Sequence, residues 1–188
     1  VNYKMRGLLK QCLKGLLARP IALNHEIIVI DNNSGDGTGD MMRVEFPAIT
    51  FVQSPRNGGF AYGVNQGITR STGTYVLTLN PDIAVLGTPF EEMYRYMEEH
   101  PDVGICAPKL LNPDGTVRTS CREFQTASTI LYRRSPLGKL PWAHKKLRAF
   151  LMLDWDHKDN RPVDWVLGAC MMIRHSAIEK VGLLDERF

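Results

Sequence analysis

No apolar run in this chain approaches the roughly 18 residues that a membrane-spanning helix needs, so no transmembrane segment is expected. The opening, Val1-Asn2-Tyr3-Lys4-Met5-Arg6, lacks the charged-then-apolar order of a secretory leader. Cysteine is sparse. Cys12, Cys106, Cys121 and Cys170 lie far apart and form no Cys-x-x-Cys step, which argues against a disulfide framework or a thiolate zinc site. Three of the four sit in apolar runs, as the buried, reduced thiols of a cytosolic protein do. Histidine offers no metal site either, because His25, His100, His144, His157 and His175 share no ligand spacing. The Walker loop and Gly-x-Gly-x-x-Gly are both missing, as are internal repeats, low-complexity tracts and any linker marking a domain boundary.

At 188 residues, with 44% hydrophobic and 23% charged, the chain has the composition of one globular domain, not of a disordered or fibrous protein. The net charge of +3 is small but uneven: residues 122–161 hold nine Lys/Arg against four Asp/Glu, a net of +5 that leaves −2 elsewhere. An anionic partner would be sought there. Basic residues such as Arg133, Arg134, Lys145 and Lys146 alternate with Leu131, Leu137, Trp142 and Phe150. Two readings stand for this stretch. It is a solvated helix face, as most such runs are, or residues 122–162 make peripheral contact with an anionic membrane surface. Nucleic acid is not an expected partner.

The first half alternates strand and helix signals. Leu8, Leu9, Cys12, Leu13, Leu16 and Leu17 recur at helical spacing, and a helix this early reads as one whose partner strand has been cut off. Glu26-Ile27-Ile28-Val29-Ile30 is a strand buried on both faces, ending in the turn-rich Asp31-Asn32-Asn33-Ser34-Gly35-Asp36-Gly37-Thr38. A short helix over 39–46 and a strand over 49–53 follow. Then comes Ser54 to Gly67, a glycine-rich turn running into a helix, whose backbone amides could face an anion. Thr74 to Asp82 is a short strand stopped by Pro81, which leaves Asp82 at the strand's carboxyl end, where α/β sheets bind ligands. Asn80-Pro81-Asp82 is equally well explained as a turn. Thr88, Pro89 and Glu91 predict a capping box, and His100-Pro101 a helix stop. Regular alternation of this kind predicts a parallel, helix-covered sheet. The second half predicts a more mixed sheet, with a hairpin formed by 103–108 and 116–119 around Asn112-Pro113-Asp114-Gly115.

Six ordered blocks carry a family resemblance: Val-Asn-Tyr (from residue 1), Ile-Val-Ile-Asp-Asn-Asn-Ser-Gly-Asp-Gly (28), Asn-Gly-Gly-Phe-Ala-Tyr-Gly-Val-Asn-Gln-Gly (57), Leu-Asn-Pro-Asp (79), Asp-Trp-Val-Leu-Gly-Ala-Cys-Met-Met-Ile-Arg (164) and Val-Gly-Leu-Leu-Asp-Glu-Arg-Phe (181). The chain resembles the family 2 glycosyltransferases of GT-A fold, most of all their rhamnosyltransferase-like branch. The resemblance implies an α/β fold, a Rossmann-like mixed sheet flanked by helices. It also implies one domain over 1–188, with 1–108 as the nucleotide-sugar half and 109–188 as the acceptor-side half.

By that resemblance the activity is an inverting transfer of a sugar, with rhamnose expected, from a nucleoside-diphosphate donor. The acceptor is a hydroxyl on a glycan or lipid-linked glycan, in bacterial surface polysaccharide synthesis. Asn2, Tyr3, Asp31, Asn33, Arg56, Asn57, Gly58, Asn80 and Asp82 are the implied donor-site residues. Asp82 would hold Mg²⁺ or Mn²⁺ against the diphosphate, with Asn80 in place of the first carboxylate of an Asp-x-Asp motif. Asp164, Trp165, Gly168 and Ala169 are implied on the sugar and acceptor side, although Asp164 is also explained as a backbone partner at a strand start. The general base is expected beyond Phe188, and without it the chain would be a nucleotide-sugar-binding module. Asp185 and Glu186 read as a loop carboxylate pair. The expected location is cytoplasmic, with peripheral attachment at the inner face of the plasma membrane as the alternative left open by residues 122–162.

Overall fold

The computed structural model describes residues 1–187. Phe188, which closes the last sequence block, and the general base expected after it lie outside the described residues. In chain order the elements are α1 (Arg6–Leu17), β1 (Ile28–Asp31), α2 (Thr38–Glu45), β2 (Thr50–Gln53), α3 (Gly59–Arg70), β3 (Tyr75–Leu79), α4 (Pro89–Glu99) and β4 (Ile105–Cys106). They continue with β5 (Cys121–Arg122), α5 (Ala127–Arg134), a 3-10 turn (Pro136–Lys139), α6 (Pro141–Phe150), β6 (Trp165–Val166), β7 (Cys170–Arg174) and α7 (His175–Val181). Two compact units result: Val1–Ala107 with Gly168–Phe188, and Pro108–Leu167. No helix among the described residues is long and apolar enough to cross a membrane.

In the first unit β1 and β2 run parallel, with Ile28 opposite Thr50 and Asp31 opposite Gln53. Asn2 adds a parallel rung beside Asp31. The other sheet is antiparallel: β7 lies between β3 and β4, pairing Leu77 with Met172 and Cys106 with Met172. The parallel pattern expected from the alternating signals therefore holds for β1 and β2 only. A strand arriving from more than sixty residues later in the chain enters between β3 and β4 and reverses the local direction.

Three apolar clusters hold this unit together. Leu9 and Leu13 of α1 pack with Val29, Met41, Met42 and Phe46; of the helical stripe read from the sequence these two are buried, Cys12 and Leu16 half-buried, and Leu8 and Leu17 exposed. Phe90, Met93 and Met97 of α4 cover Cys170 and Met172 of β7, and Val64 and Ile68 of α3 meet Ile173 and Ile178. Each such side chain contributes about 1.5–3 kcal/mol of burial. Burial also pushes the Cys170 thiol up to about 12, as expected of an inert core cysteine.

Between β1 and β3 runs an apolar groove of about 720 Å³, walled by Ile28, Ile30, Val76 and Leu77 and floored by Leu13, Val64 and Ile68. Val1, Phe60, Asn80 and Pro81 also line it.

Two local expectations change. Thr88 makes no side-chain cap at the start of α4; its hydroxyl donates to Glu92 Oε1 at 3.3 Å, and Glu91 accepts the Ala22 amide at 3.1 Å. The hairpin forms closer to its turn than expected. Asn112 N donates to Thr116 O at 2.8 Å and Arg118 N to Leu110 O at 2.9 Å, while β4 pairs with β7. The turn itself is the one read from the sequence, with Gly115 at φ 82° and Asp114 accepting from the Thr116 amide and hydroxyl.

In the second unit β5 and β6 pair antiparallel, Cys121 opposite Val166. Helices α5 and α6 pack on each other and on the 3-10 turn that joins them, around buried Thr129, Ala143 and Phe150.

Candidate functional site

The first unit gathers its polar side chains at the carboxyl end of β1. Asp31 is 1% exposed, and its carboxylate accepts four hydrogen bonds: from Asn2 Nδ2 at 2.7 Å, Ser34 Oγ at 2.5 Å, Ser34 N at 2.9 Å and Gln53 Nε2 at 2.7 Å. Every lone pair in the plane of that carboxylate is engaged. Asn2 is tied in at the backbone as well, its N–H donating to Ile30 O and its carbonyl accepting from Asn32 N. Its amide oxygen is buried with no partner, as is that of Asn32. Unpaired buried acceptors are costly, so this end of β1 offers two sites for a donor group or water. Ser34, Thr38 and Gln53 were not singled out from the sequence, since a serine in a turn, a threonine opening a helix and a glutamine ending a strand carry no signal of a shared partner.

The rest of the Asp31–Thr38 loop is shaped by caps. Asp36 accepts from Thr38 Oγ1 at 2.6 Å, Thr38 N at 3.1 Å and Arg6 N at 3.3 Å. Burial pushes its carboxyl upward, but these hydrogen bonds outweigh that and hold it below the usual aspartate range. Asn33 takes φ 58° and reaches Pro55 O, joining the loop after β1 to the loop after β2. Tyr3 is exposed, and Lys4 Nζ lies 5.3 Å from its ring centre.

The glycine-rich block forms the entry to α3. Asn57 Oδ1 accepts the Gly59 amide at 3.0 Å, and Gly59 sits at φ 85°. Gly58 is small for a steric reason: a Cβ there would lie 2.3 Å from the Tyr62 ring. Arg56 stacks over that ring at 5.2 Å, exposed to solvent. Asn32 Nδ2 donates to Gly59 O at 2.7 Å, so the loops after β1 and β2 converge on one helix start. Exposed amides and a cation at a helix N-terminus suit an anionic group.

β3 ends in the third element of the site. Asn80, Pro81, Asp82 and Ile83 form a turn closed by Ile83 N donating to Asn80 O at 3.2 Å, so the turn reading and the strand-end reading are both correct locally. Pro81 is buried while Asp82 is exposed, and among the described residues no hydrogen bond or ion pair engages the Asp82 carboxylate. Asn80 N donates to Ala169 O at 2.9 Å, and a Cβ on Gly168 would lie 3.3 Å from the Phe60 ring. Thus Asn80, Gly168, Ala169 and the start of α3 come together. No group of three or more His, Cys, Asp or Glu able to hold a metal occurs among the described residues. A single free carboxylate fits a hard cation such as Mg²⁺ or Mn²⁺, which keeps waters and takes substrate phosphate oxygens in preference to an all-protein cage.

The remaining candidates behave differently. Asp164 and Trp165 belong to the second unit, where Asp164 Oδ2 accepts the Phe124 amide at 2.9 Å and Arg122 stacks 4.9 Å over the Trp165 ring. Asp185 pairs with Arg187, whose hydrogen bonds hold its carboxyl below the usual range. Glu186 accepts from Asn65 Nδ2 at 2.8 Å. Both carboxylates of that pair are occupied.

With this geometry in view, the chain matches the model of glycosyl transferase family 2 over residues 1–182. It is 30% identical over 192 residues to the low-salt glycan biosynthesis hexosyltransferase Agl10 of Haloferax volcanii, covering 100% of this chain and 55% of that protein. To the N-acetylglucosaminyl-diphospho-decaprenol L-rhamnosyltransferase of Mycobacterium tuberculosis it is 25% identical, covering 90% of this chain and 57% of that one. Among solved structures, the mannosyltransferase PcManGT from Pyrobaculum calidifontis in complex with GDP-Man and Mn²⁺ superposes with a TM-score of 0.60 at 18% identity, over 98% of this chain and 46% of that one. TarS 1–349 of S. aureus gives 0.59 at 14%, over 98% and 48%. These likenesses show the fold, which is GT-A. The chain spans about half the length of the curated relatives it matches, 55% and 57%.

Proposed function

Since the chain belongs to glycosyl transferase family 2, we propose that it transfers a sugar from a nucleoside-diphosphate donor to a hydroxyl of a glycan or lipid-linked glycan, with inversion and with rhamnose as the sugar. The observation that carries the reading is the turn after β3, which sets an unpartnered Asp82 beside Asn80 while Asn80 N holds Ala169 O. Asp82 would hold Mg²⁺ or Mn²⁺, and a cation there neutralises charge developing on a diphosphate leaving group. Asn57, Gly58 and Arg56 would bind phosphate at the start of α3, and Asn2, Tyr3, Asp31 and Asn33 would shape the nucleoside end. Asp164, Trp165, Gly168 and Ala169 are proposed on the sugar and acceptor side. The mycobacterial relative, by its name, acts on a diphospho-decaprenol-linked sugar, which supports a lipid-linked acceptor. The reaction is placed in the cytoplasm, at the inner face of the plasma membrane.

Calorimetric titration with dTDP and with GDP, with Mn²⁺ or with a chelator, tests this. Chelation is expected to weaken binding of the accepted nucleotide at least about tenfold, a change of about 1.4 kcal/mol. Asp82→Ala should match the chelated protein with its melting temperature unchanged, because the side chain has no partner to lose. Metal-independent affinity that survives Asp82→Ala would refute the proposal.

A further inference from the structure

We propose that the helical hairpin of α5 and α6 docks the protein on a lipid bilayer through anionic headgroups. Residues 124–153 contain no Asp or Glu and six Lys/Arg, more cations than any other acid-free stretch of the chain. Only Arg148 among those six has an ion-pair partner, Asp154, in the described residues. Arg133, Arg134, Lys139, Lys145 and Lys146 are exposed without one. Uncompensated like charges on one small module repel each other, and an anionic surface relieves that repulsion.

Charge alone would suit nucleic acid equally well, but the apolar residues decide the partner. Leu137, Leu140 and Trp142 are 41%, 40% and 52% exposed and fall within six residues at the connection of the two helices. Aliphatic side chains gain nothing against a phosphate backbone, whereas they gain by entering the headgroup boundary of a bilayer. They are also held in place. Trp142 packs edge-on against Tyr132 with ring centres 5.1 Å apart, and Gly138 lies so close that a Cβ there would meet Tyr132 O at 2.3 Å. The connection is thus a braced apolar tip between basic helices. Tryptophan at the apolar boundary with lysines beside it is the arrangement of an interfacial anchor. The docking does not depend on the sugar-transfer reading.

Sedimentation of the full chain with vesicles tests the proposal, using phosphatidylcholine alone and phosphatidylcholine mixed equally with phosphatidylglycerol. The protein should pellet with the mixed vesicles only, and less as salt rises. Lys145→Ala with Lys146→Ala should lower partitioning about thirtyfold, and Leu137→Ser several-fold, with circular dichroism unchanged. In a Trp155→Phe, Trp165→Phe background, Trp142 emission should shift to the blue on mixed vesicles. Equal binding to neutral vesicles, indifference to the lysine changes, or unmoved Trp142 emission would overturn the docking. Retention on polyuridylate without vesicle binding would overturn it in favour of nucleic acid.

Discussion

Asn2 and Asp31 form a buried pair, Nδ2 to Oδ1 at 2.7 Å, with side chains 0% and 1% exposed. The pair closes the end of β1, because the same carboxylate also accepts from Ser34 and Gln53. Removing it leaves the buried Ser34 amide and hydroxyl without their acceptor and takes the shortest hydrogen bond from buried Asn2, each unpaired buried donor costing about 1–3 kcal/mol, while exposed Gln53 can turn to water. Asp31→Ala should therefore lower stability by about 3 kcal/mol or more in urea titrations. Nucleotide binding should be lost together with folding of the loop. The same variant with an unchanged urea midpoint would show that Asp31 is not the scaffold of this end.

Glycines of one helix give opposite outcomes. In α3 a Cβ on Gly67 would lie 3.7 Å from Ile30 Cγ1, an ordinary contact, whereas on Gly63 it would meet Val1 Cγ1 at 2.5 Å and Asn32 Nδ2 at 3.2 Å. Gly67→Ala should raise stability by up to about 1 kcal/mol through helix propensity and a less flexible unfolded chain. Gly63→Ala should cost about 1–3 kcal/mol by overpacking. Thermal melts of the two variants check the sign.

Helices α1 to α4 and the β1–β2 pair were legible because their signals are local, whereas α5 and α6 lie in a stretch of weak periodicity. Leu9 and Leu13 repeat at the helical period, and Ile28 to Ile30 form a β-branched run ending in turn residues. The turn at Asn80-Pro81-Asp82 was legible for the same reason, proline and aspartate being turn formers wherever they stand. What was hidden is non-local. Nothing near Arg174 announces that its guanidinium donates to Met97 O, His100 O, Val103 O and the Tyr75 hydroxyl, fastening the end of α4 to β7. Nor does the alternation of the first half reveal that β7 enters between β3 and β4. At the site, Asp31 was picked out as a residue facing ligand. The structure shows it as a hub of four hydrogen bonds, a role that depends on Asn2 and Gln53 arriving from elsewhere in the chain.

Asn65 fixes the segment after α7. Its Oδ1 accepts the Leu184 amide at 2.9 Å, while Nδ2 donates to Leu184 O at 2.9 Å and to Glu186 at 2.8 Å. Asn65→Asp removes both donors and sets a second carboxylate against Glu186. A loss of about 1–3 kcal/mol is expected, with faster hydrogen exchange at the Leu184 amide. Exchange at Leu184 that is no faster in the variant would show the clamp to be idle.

Acid sensitivity should trace in part to Asp36. Its carboxyl is held below the ordinary value by hydrogen bonds from Thr38 and Arg6 that outweigh the upward push of burial. A group depressed on folding stays ionised in the native state while the unfolded chain takes up a proton. Its stabilisation is therefore fully present above the unfolded value, about 3.9, and is lost as pH falls through the folded value. Asp36→Asn keeps a capping side chain but cannot titrate. Urea midpoints of the two proteins should then differ most near neutrality and converge as pH falls through the lowered folded value. Other carboxylates held low, such as Asp114, change both proteins alike, so only the difference reports on Asp36. A gap that stays constant down to the acid limit would show that the Asp36 charge contributes nothing to the fold.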